Sequence, residues 1–454
     1  MKQAALSLTS RLKELAASEL AISDAASLGT YEVDGLRPSA ALMPRSAAEV
    51  AEILGCASAE GLAVIPTGGK THLGIGMPPR RYDVAVDLSR MNRILDYEPR
   101  DLTLGIEPGV TCAGLHRALA EKGQFLPLAP PFSPRATLGG IVAAGTDTPL
   151  RYAHGTARDF LLGIEFVTGE GLSSKSGGRV VKNVTGYDLH KLFVGSLGTL
   201  GVMTRLNFRT FPLPPAQRMF VIAFRHLTGA FYFSLAIRKS PLHPRLLETI
   251  DPGAARLFAA NDADFMNPDS WLVAVEAAGH EAVIERHARD LESMARDARA
   301  VAVTVLGEAQ RDRLFFCLSE FPQIVRGASP SAVIFRVAAL PSAMPALHEK
   351  AFALASDHRL NCAILVRALG VVYIALMPPP DAVGLPALIA CSRELAALCL
   401  SSGGASVIEH CPREIKDATC VWPSPGDEHE IAARLKGVFD PRGILAPGRH
   451  RGGI

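Results

Sequence analysis

The chain lacks paired cysteines. Its eight cysteines stand at 56, 112, 317, 362, 391, 399, 411 and 420 with no CxxC among them. Neither an iron–sulfur cluster nor a zinc knuckle is therefore expected within it, and no metal site is predicted. Such usage fits a reducing compartment, so a cytoplasmic location is expected. An excess of one charge is also missing. Lys and Arg number 47 against 45 Asp and Glu, a net +2, which gives no electrostatic reason to expect nucleic acid or an anionic membrane surface as partner. No apolar run is long enough to span a bilayer: the most apolar segment, 362–377, is cut by Arg367. Residues 1–20 read as a polar helix without the apolar centre of a secretory signal. Repeats, low-complexity tracts, a GxxxxGK(S/T) phosphate loop and a GxGxxG dinucleotide fingerprint are absent too.

What the chain has is glycine and proline in the right places. With 454 residues and 48% hydrophobic content, two or three globular domains are expected. Its 40 glycines and 32 prolines punctuate apolar runs rather than cluster. The densest passage is 178–202, GRVVKNVTGYDLHKLFVGSLGTLGV. It reads as a strand tip over 179–182, a turn over 183–186, a short helix over 187–194 and a glycine-studded turn. A β-branched strand over 202–211 follows. Glycine at that density places backbone at positive φ or against something flat or charged.

Upstream, Ser46 and Glu49 form a capping box, with Val50, Ile53 and Leu54 at helical spacing behind it. Gly61 ends that helix, and a short buried strand over 62–65 runs into Pro66, Thr67, Gly68, Gly69, Lys70, Thr71 and His72. Successive unhindered amides, two hydroxyls and a cation are the parts of an anion-binding nest. Strands are expected over 84–88 and 102–107, and Thr111 caps a helix that buries Leu115 and Leu119. After the proline-rich turn at Pro131 come Thr137, Leu138, Gly139, Gly140 and Gly145. Their small side chains let a ring or a diphosphate lie on the main chain, or else permit close helix packing.

These motifs, in this order, resemble FAD-binding PCMH-type domains, the fold of the vanillyl-alcohol oxidase and D-lactate dehydrogenase flavoproteins. The run VKNVTGYDL and the closing segment LKGVFDPRGILAPGRHRGGI are similar to those of the FAD-binding subunits of bacterial glycolate oxidases (glycolate dehydrogenases). The resemblance implies an α+β protein. It would comprise an N-terminal helix and connector over 1–36, a PCMH-type FAD-binding domain of two α/β subdomains over 37–213, an α+β cap over 214–420 and a returning segment over 421–454. It implies that Thr67 to His72 wrap the FAD pyrophosphate and that Pro66 belongs to the same loop. It further implies that Pro131 and Thr137 to Gly140 line the ribityl chain and flavin edge, with Gly145 close by, and that Val202 holds the adenine end. Family members with covalent flavin carry a histidine directly after the two glycines. Here Lys70 stands in that place, so FAD is expected to be non-covalent and His72 a polar loop residue.

The implied activity is oxidation of a 2-hydroxy acid such as glycolate. Electrons would pass from FAD to an iron–sulfur partner chain and a quinone-type acceptor, beside a catalytic flavoprotein subunit, with possible peripheral placement at the inner membrane. A self-sufficient hydroxy-acid or alcohol dehydrogenase and a non-catalytic FAD-holding subunit are the alternatives. Relatives carry a histidine in a cap strand. The comparable stretch here, 363–377, read as one strand, holds Arg367 and Gly370 but no histidine, and Leu197 replaces the carboxylate of the family's GSEGTLG. Arg179, Lys182, His190, Arg367 and His154 are the remaining cations or bases, each with a structural role as the simpler reading, so the catalytic base is left unassigned. The cap itself is expected to place helices on one face of an antiparallel sheet, with 280–296 as a solvated amphipathic helix.

Overall fold

The computed structural model describes residues 21–179, 186–367, 370–379 and 384–454. The helix expected before residue 21, the strand tip beyond Arg179 with Lys182, and the turn over 183–186 as far as Thr185 lie outside these residues.

Strands β1 (Ala21–Ile22), β2 (Ala40–Leu42), β3 (Val64–Thr67) and β4 (Val84–Asp87) form a sheet in the order β1-β2-β4-β3. Both β2 and β3 run parallel to β4. The helix Ala47–Glu60 makes the crossover between β2 and β3. Ser46 accepts the Glu49 amide at 3.2 Å at its start, and Gly61 ends it at φ 66°. The Glu49 carboxylate takes the Arg45 amide at 2.7 Å, so the cap is reciprocal one residue earlier than the sequence box implies. Val50, Ile53 and Leu54 are buried against this sheet.

A second, antiparallel sheet follows. It uses β5 (Ile94–Glu98), β6 (Thr103–Ile106), β8 (Leu161–Val167), β9 (Ser173–Gly177) and β10 (Val202–Arg209), in the order β5-β6-β10-β8-β9. The short β7 (Gln124–Phe125) pairs separately with β11 (Phe211–Pro212). Between the sheets Thr111 caps the helix Cys112–Ala120, accepting the Gly114 amide at 3.2 Å and burying Leu115 and Leu119. The helix expected over 187–194 is a single 3-10 turn, Leu189–Leu192.

The remaining strands are β12 (Ala216–Phe224), β13 (Leu246–Ile250), β14 (Trp271–Gly279), β15 (Ala302–Val305), β16 (Val333–Ala338), β17 (Asn361–Arg367), β18 (Val371–Met377) and β19 (Ala405–His410). They form one antiparallel sheet in the order β15-β12-β14-β13-β17-β18-β16-β19. Two expectations are corrected here. The run 363–377 is a hairpin of two strands, Cys362 opposite Leu376 and Ile364 opposite Ile374. Helices also cover both faces of the sheet, not one. Ala363 and Leu365 pack against the helices Pro252–Ala259, Glu308–Ser319 and Phe321–Ala328, while Ile364 and Val366 pack against Met344–Asp357 and Leu385–Ser401. Burial on both faces removes the polar alternation of a half-exposed strand, which is why two strands read as one apolar run.

The C-terminal segment returns to the first sheet. Val64 donates to the Ile444 carbonyl and Ala446 to the Val64 carbonyl, both at 2.8 Å. Ile444 and Leu445 are buried. The buried Asp440 carboxylate accepts the amides of both, at 3.1 and 2.8 Å, and the Lys436 ammonium at 2.6 Å. Among the described residues no helix is long and apolar enough to cross a membrane.

Candidate active site

A cleft opens between the two N-terminal sheets. Its floor is the loop after β3. The amides of Gly68, Lys70, Thr71 and His72 donate to no protein acceptor among the described residues, while that of Gly69 reaches the Thr137 hydroxyl at 3.4 Å. Glycine is required here by close approach. A Cβ on Gly69 would collide with the Arg135 carbonyl oxygen, and one on Gly68 with the Thr137 hydroxyl. The Thr67 hydroxyl is buried without a partner. Unpaired donors in a walled loop form an anion cradle.

Of the sequence candidates, Pro66, Thr67, Gly68, Gly69, Lys70, Thr71, His72, Thr137, Gly139, Gly140 and Val202 all line this cleft. Pro131 lines an adjoining cavity instead. Leu138 points into the protein core, fully buried, and Gly145 ends its helix at φ 61° against Gly195; neither lines either of these two spaces. The Lys70 cation is not free for the cradle. With φ at 58° its side chain turns back over the Tyr31 ring, 3.4 Å from the centroid, with the Thr30 hydroxyl at 3.0 Å and Asp87 at 3.7 Å. Only the Lys70 backbone remains for an anion. Arg449, from the returning tail, also reaches this cleft. It is buried, donates to the carbonyls of Leu73 and Ile75, and keeps Nε unpartnered.

Through Lys70, Thr71, His72 and Leu73 the cleft continues into a second cavity between the N-terminal region and the face of the eight-stranded sheet. Polar cross-links hold this junction. Glu320 accepts the Phe132 amide at 2.8 Å, and the buried Arg367 lies between Asp147, at 3.7 Å, and Glu248, at 3.1 Å. Arg367 is thus a structural ion-pair residue rather than a free cation. Lys416 is likewise spent on Asp34 at 2.8 Å. The one guanidinium lining this cavity without an ion pair or hydrogen bond among the described residues is Arg326, half-buried, 5.8 Å from the Phe132 ring centroid.

Beside it stand His72, His410, Tyr373 and Asp147. Burial pushes His410 down to about 4, aided by the positive field of Arg326, and also lowers His72. Both imidazoles are neutral at pH 7. The His410 Nε2, the Thr146 hydroxyl and one Asp147 oxygen are buried without hydrogen-bond partners. Four non-glycine residues at positive φ line these two spaces: Asp34 (49°), Lys70, Phe132 (58°) and Leu197 (52°). Such conformations cost about 1 kcal/mol or more and concentrate at functional sites.

The other sequence candidates lie elsewhere. His154 packs edge-on against Phe125 and Phe211, His190 is buried against Ser176, and Arg179 makes an exposed pair with Asp96 at 3.5 Å. Arg326, His410, Tyr373 and Asp147 were not among the candidates. No spacing rule links positions so far apart in the chain.

A glycine cradle between two sheets, continuous with a cavity under a large cap sheet, defines a FAD-dependent oxidoreductase of the PCMH type. The chain belongs to the FAD-linked oxidases. Residues 213–450 match the family described as FAD linked oxidases, C-terminal domain, and residues 38–175 match FAD binding domain. It is 26% identical over 424 residues to glycolate oxidase subunit GlcD of Bacillus subtilis (strain 168), covering 91% of this chain and 88% of that one. Over 158 residues it is 39% identical to glycolate oxidase subunit GlcE of Escherichia coli (strain K12), covering 34% of this chain and 44% of that one. It is 33% identical over 209 residues to D-2-hydroxyglutarate dehydrogenase of Stutzerimonas stutzeri (strain A1501), covering 44% and 45%. The fold is that of 4-ethylphenol oxidase from Gulosibacter chungangensis (TM-score 0.75, 18% identity, 98% of each chain). FAD is the cofactor of this family, and the unpaired amides, the orphan Thr67 hydroxyl and the glycine walls fit its anionic and flat parts.

Proposed function

We propose that this chain is the FAD-binding subunit of a glycolate oxidase-type system and oxidises a small 2-hydroxy acid. The observation that carries this reading is Arg326, a guanidinium without an acidic partner facing a cavity continuous with the cradle. Relatives named glycolate oxidase subunit and D-2-hydroxyglutarate dehydrogenase support the substrate class. The amides of Gly68 to His72 hold the pyrophosphate, and Gly139, Gly140 and Val202 pack against the rest of FAD, which is bound without a covalent link. When bound, FAD supplies an acceptor for two electrons and can release them singly.

The protein's own part is to bind, orient and deprotonate. Arg326 takes the substrate carboxylate in a charge-assisted pair. His410, neutral and with Nε2 free, receives the hydroxyl proton. Occupation of Arg326 by a carboxylate cancels part of the field that weakens this base. The Asp147–Arg367–Glu248 cluster keeps the cap seated so that bulk water stays out. Since this chain has no cysteine pair for a cluster, an iron–sulfur partner chain carries electrons onward.

A second reading, a relay subunit without substrate chemistry, is favoured by one feature: the cap hairpin contains no histidine. Anaerobic titration of the purified FAD-loaded chain with glycolate, D-lactate and D-2-hydroxyglutarate separates the two. Bleaching of the flavin band by the chain alone, abolished in Arg326→Met, supports catalysis here. Bleaching only after a partner subunit is added transfers the chemistry to that partner.

A further inference from the structure

Four cations line the second cavity: Lys70, Arg326, Arg367 and Lys416. Arg326 is open, Arg367 lies between two carboxylates, and Lys70 is turned onto Tyr31 and Asp87. Lys416 differs from all three. Its ammonium has one carboxylate partner among the described residues, Asp34, whose two oxygens lie 2.8 and 2.9 Å away. It also donates to the Gly74 carbonyl at 2.6 Å. The Lys416 and Asp34 side chains are 2% and 9% exposed, and both residues line the cavity. Lys416 is therefore one carboxylate away from being a second free cation.

Asp34 reaches it from the other side of the junction. It stands in the turn closed by Val33 and Leu36, at φ 49°, a conformation that glycine holds more readily. Lys416 lies on the helix Arg413–Ala418 after β19, and Arg413 of the same helix donates to the Asp34 carbonyl. That contact uses the Asp34 backbone, so the turn keeps a tether when the carboxylate is removed. His410, the last residue of β19, feels the positive fields of both Arg326 and Lys416. A substrate whose hydroxyl meets His410 thus has Arg326 for one carboxylate. For any other carboxylate the cavity wall offers Asp34, Asp147 and Glu409.

We propose that Asp34 determines specificity: by neutralising Lys416 it leaves the site one free cation, so the chain accepts 2-hydroxy monocarboxylates and rejects dicarboxylates. This rests on the carboxylate site at Arg326 and deepens it. A second carboxylate entering the cavity loses its water and meets no free cation, a penalty that a monocarboxylate escapes. Removing the Asp34 charge frees the Lys416 ammonium and relaxes the preference.

Two titrations of the full-length, FAD-loaded chain test this. One follows the flavin spectrum with acetate, malonate, succinate and glutarate, which carry no hydroxyl to oxidise. The other follows anaerobic flavin reduction by glycolate, D-malate and D-2-hydroxyglutarate. In wild type each diacid is expected to bind roughly tenfold more weakly than acetate, and the hydroxy diacids to trail glycolate likewise. In Asp34→Asn the diacid-to-monoacid ratio is expected to rise roughly tenfold, and in the double variant with Lys416→Met to return to the wild-type value. Measurement at about pH 6 keeps Lys416 charged, since burial lowers its ammonium and, without Asp34, its charged or titratable neighbours are Arg449 and the Cys411 thiol. Should Asp34→Asn lose its flavin, Asp34→Gly, suited to φ 49°, takes its place. Loss of flavin in both makes Asp34 a structural clamp and overturns the proposal. So does a wild type that takes diacids as readily as acetate, an unchanged ratio in the variants, or a gain that survives without Lys416. A wild type whose flavin no carboxylate perturbs or reduces defeats the Arg326 site itself and this inference with it, a result distinct from the others.

Discussion

The two joined spaces of this protein are built on opposite principles. The N-terminal cleft is made of backbone: glycines, unpaired amides and a proline-framed loop contributed by segments close to β3 and β10. The cavity beyond it is made of side chains brought from five distant parts of the chain: Asp34, Asp147, Arg326, Tyr373 and His410. A cradle of amides recognises phosphate whatever substrate is used, so it tolerates little change. A wall of side chains can be rewritten one residue at a time. Its charges here are mostly committed to each other, which leaves Arg326 conspicuous.

The sharpest way to break this contrast is at the cradle. Gly69→Val forces a Cβ against the Arg135 carbonyl oxygen and is expected to cost about 3 kcal/mol of stability or more and to leave the chain without FAD. Retained flavin absorbance after purification would refute the backbone account. At the cavity, Arg326→Met should keep the flavin spectrum while lowering kcat/KM for a 2-hydroxy acid roughly 10²-fold, as expected for a lost charge-assisted contact. An alcohol without a carboxylate should show no such loss. A variant that loses flavin instead would place Arg326 in the cradle.

His410→Gln probes the proton. It should reduce kcat by roughly 10²-fold with little change in flavin content. It also has a stability signature. The folded His410 stays neutral down to about 4, whereas an unfolded histidine takes its proton near 6.5. Stability is therefore full above about 6.5 and falls as pH drops toward 4, at most about 1.4 kcal/mol per pH unit for this one proton. Thermal melts of His410→Gln across that window should fall less steeply than wild type, and parallel curves would show that His410 is not held neutral. The smallest effect is expected at Lys70. Its ammonium serves Tyr31 and Asp87, so Lys70→Met should change FAD affinity by less than about tenfold. A larger loss would return Lys70 to the phosphate.

This contrast explains what could be read in advance. That Gly68, Gly69, Thr137, Gly139 and Gly140 line one cleft was legible because its backbone walls depend on local sequence: which residues lack a Cβ, and which loop follows which strand. The helix over 47–60 was legible for the same reason, from Ser46, Gly61 and the spacing of Val50, Ile53 and Leu54. Lys70 misled, since its side-chain direction follows from a positive φ and from Asp87, which lies on the neighbouring strand β4. Leu138 and Gly145 belong to the same helix as the cradle glycines but occupy its buried side and its end. The hairpin at 361–377 misled because burial on both faces erased the pattern that would mark its turn.

The amino-acid sequence, through its resemblance to a known family, determined the FAD-binding class, the order of the α/β elements and the return of the tail, whose Ile444 and Leu445 are buried. Tertiary structure alone decided which charges remain free. Arg367 and Arg326 look alike as letters. One is neutralised by Asp147, 220 positions away in the chain, and by Glu248; the other makes no ion pair or hydrogen bond among the described residues and lies near the Phe132 ring and two neutral histidines. Whether a charge is available for chemistry depends on its partners within a few ångströms, and no local pattern of residues encodes those partners.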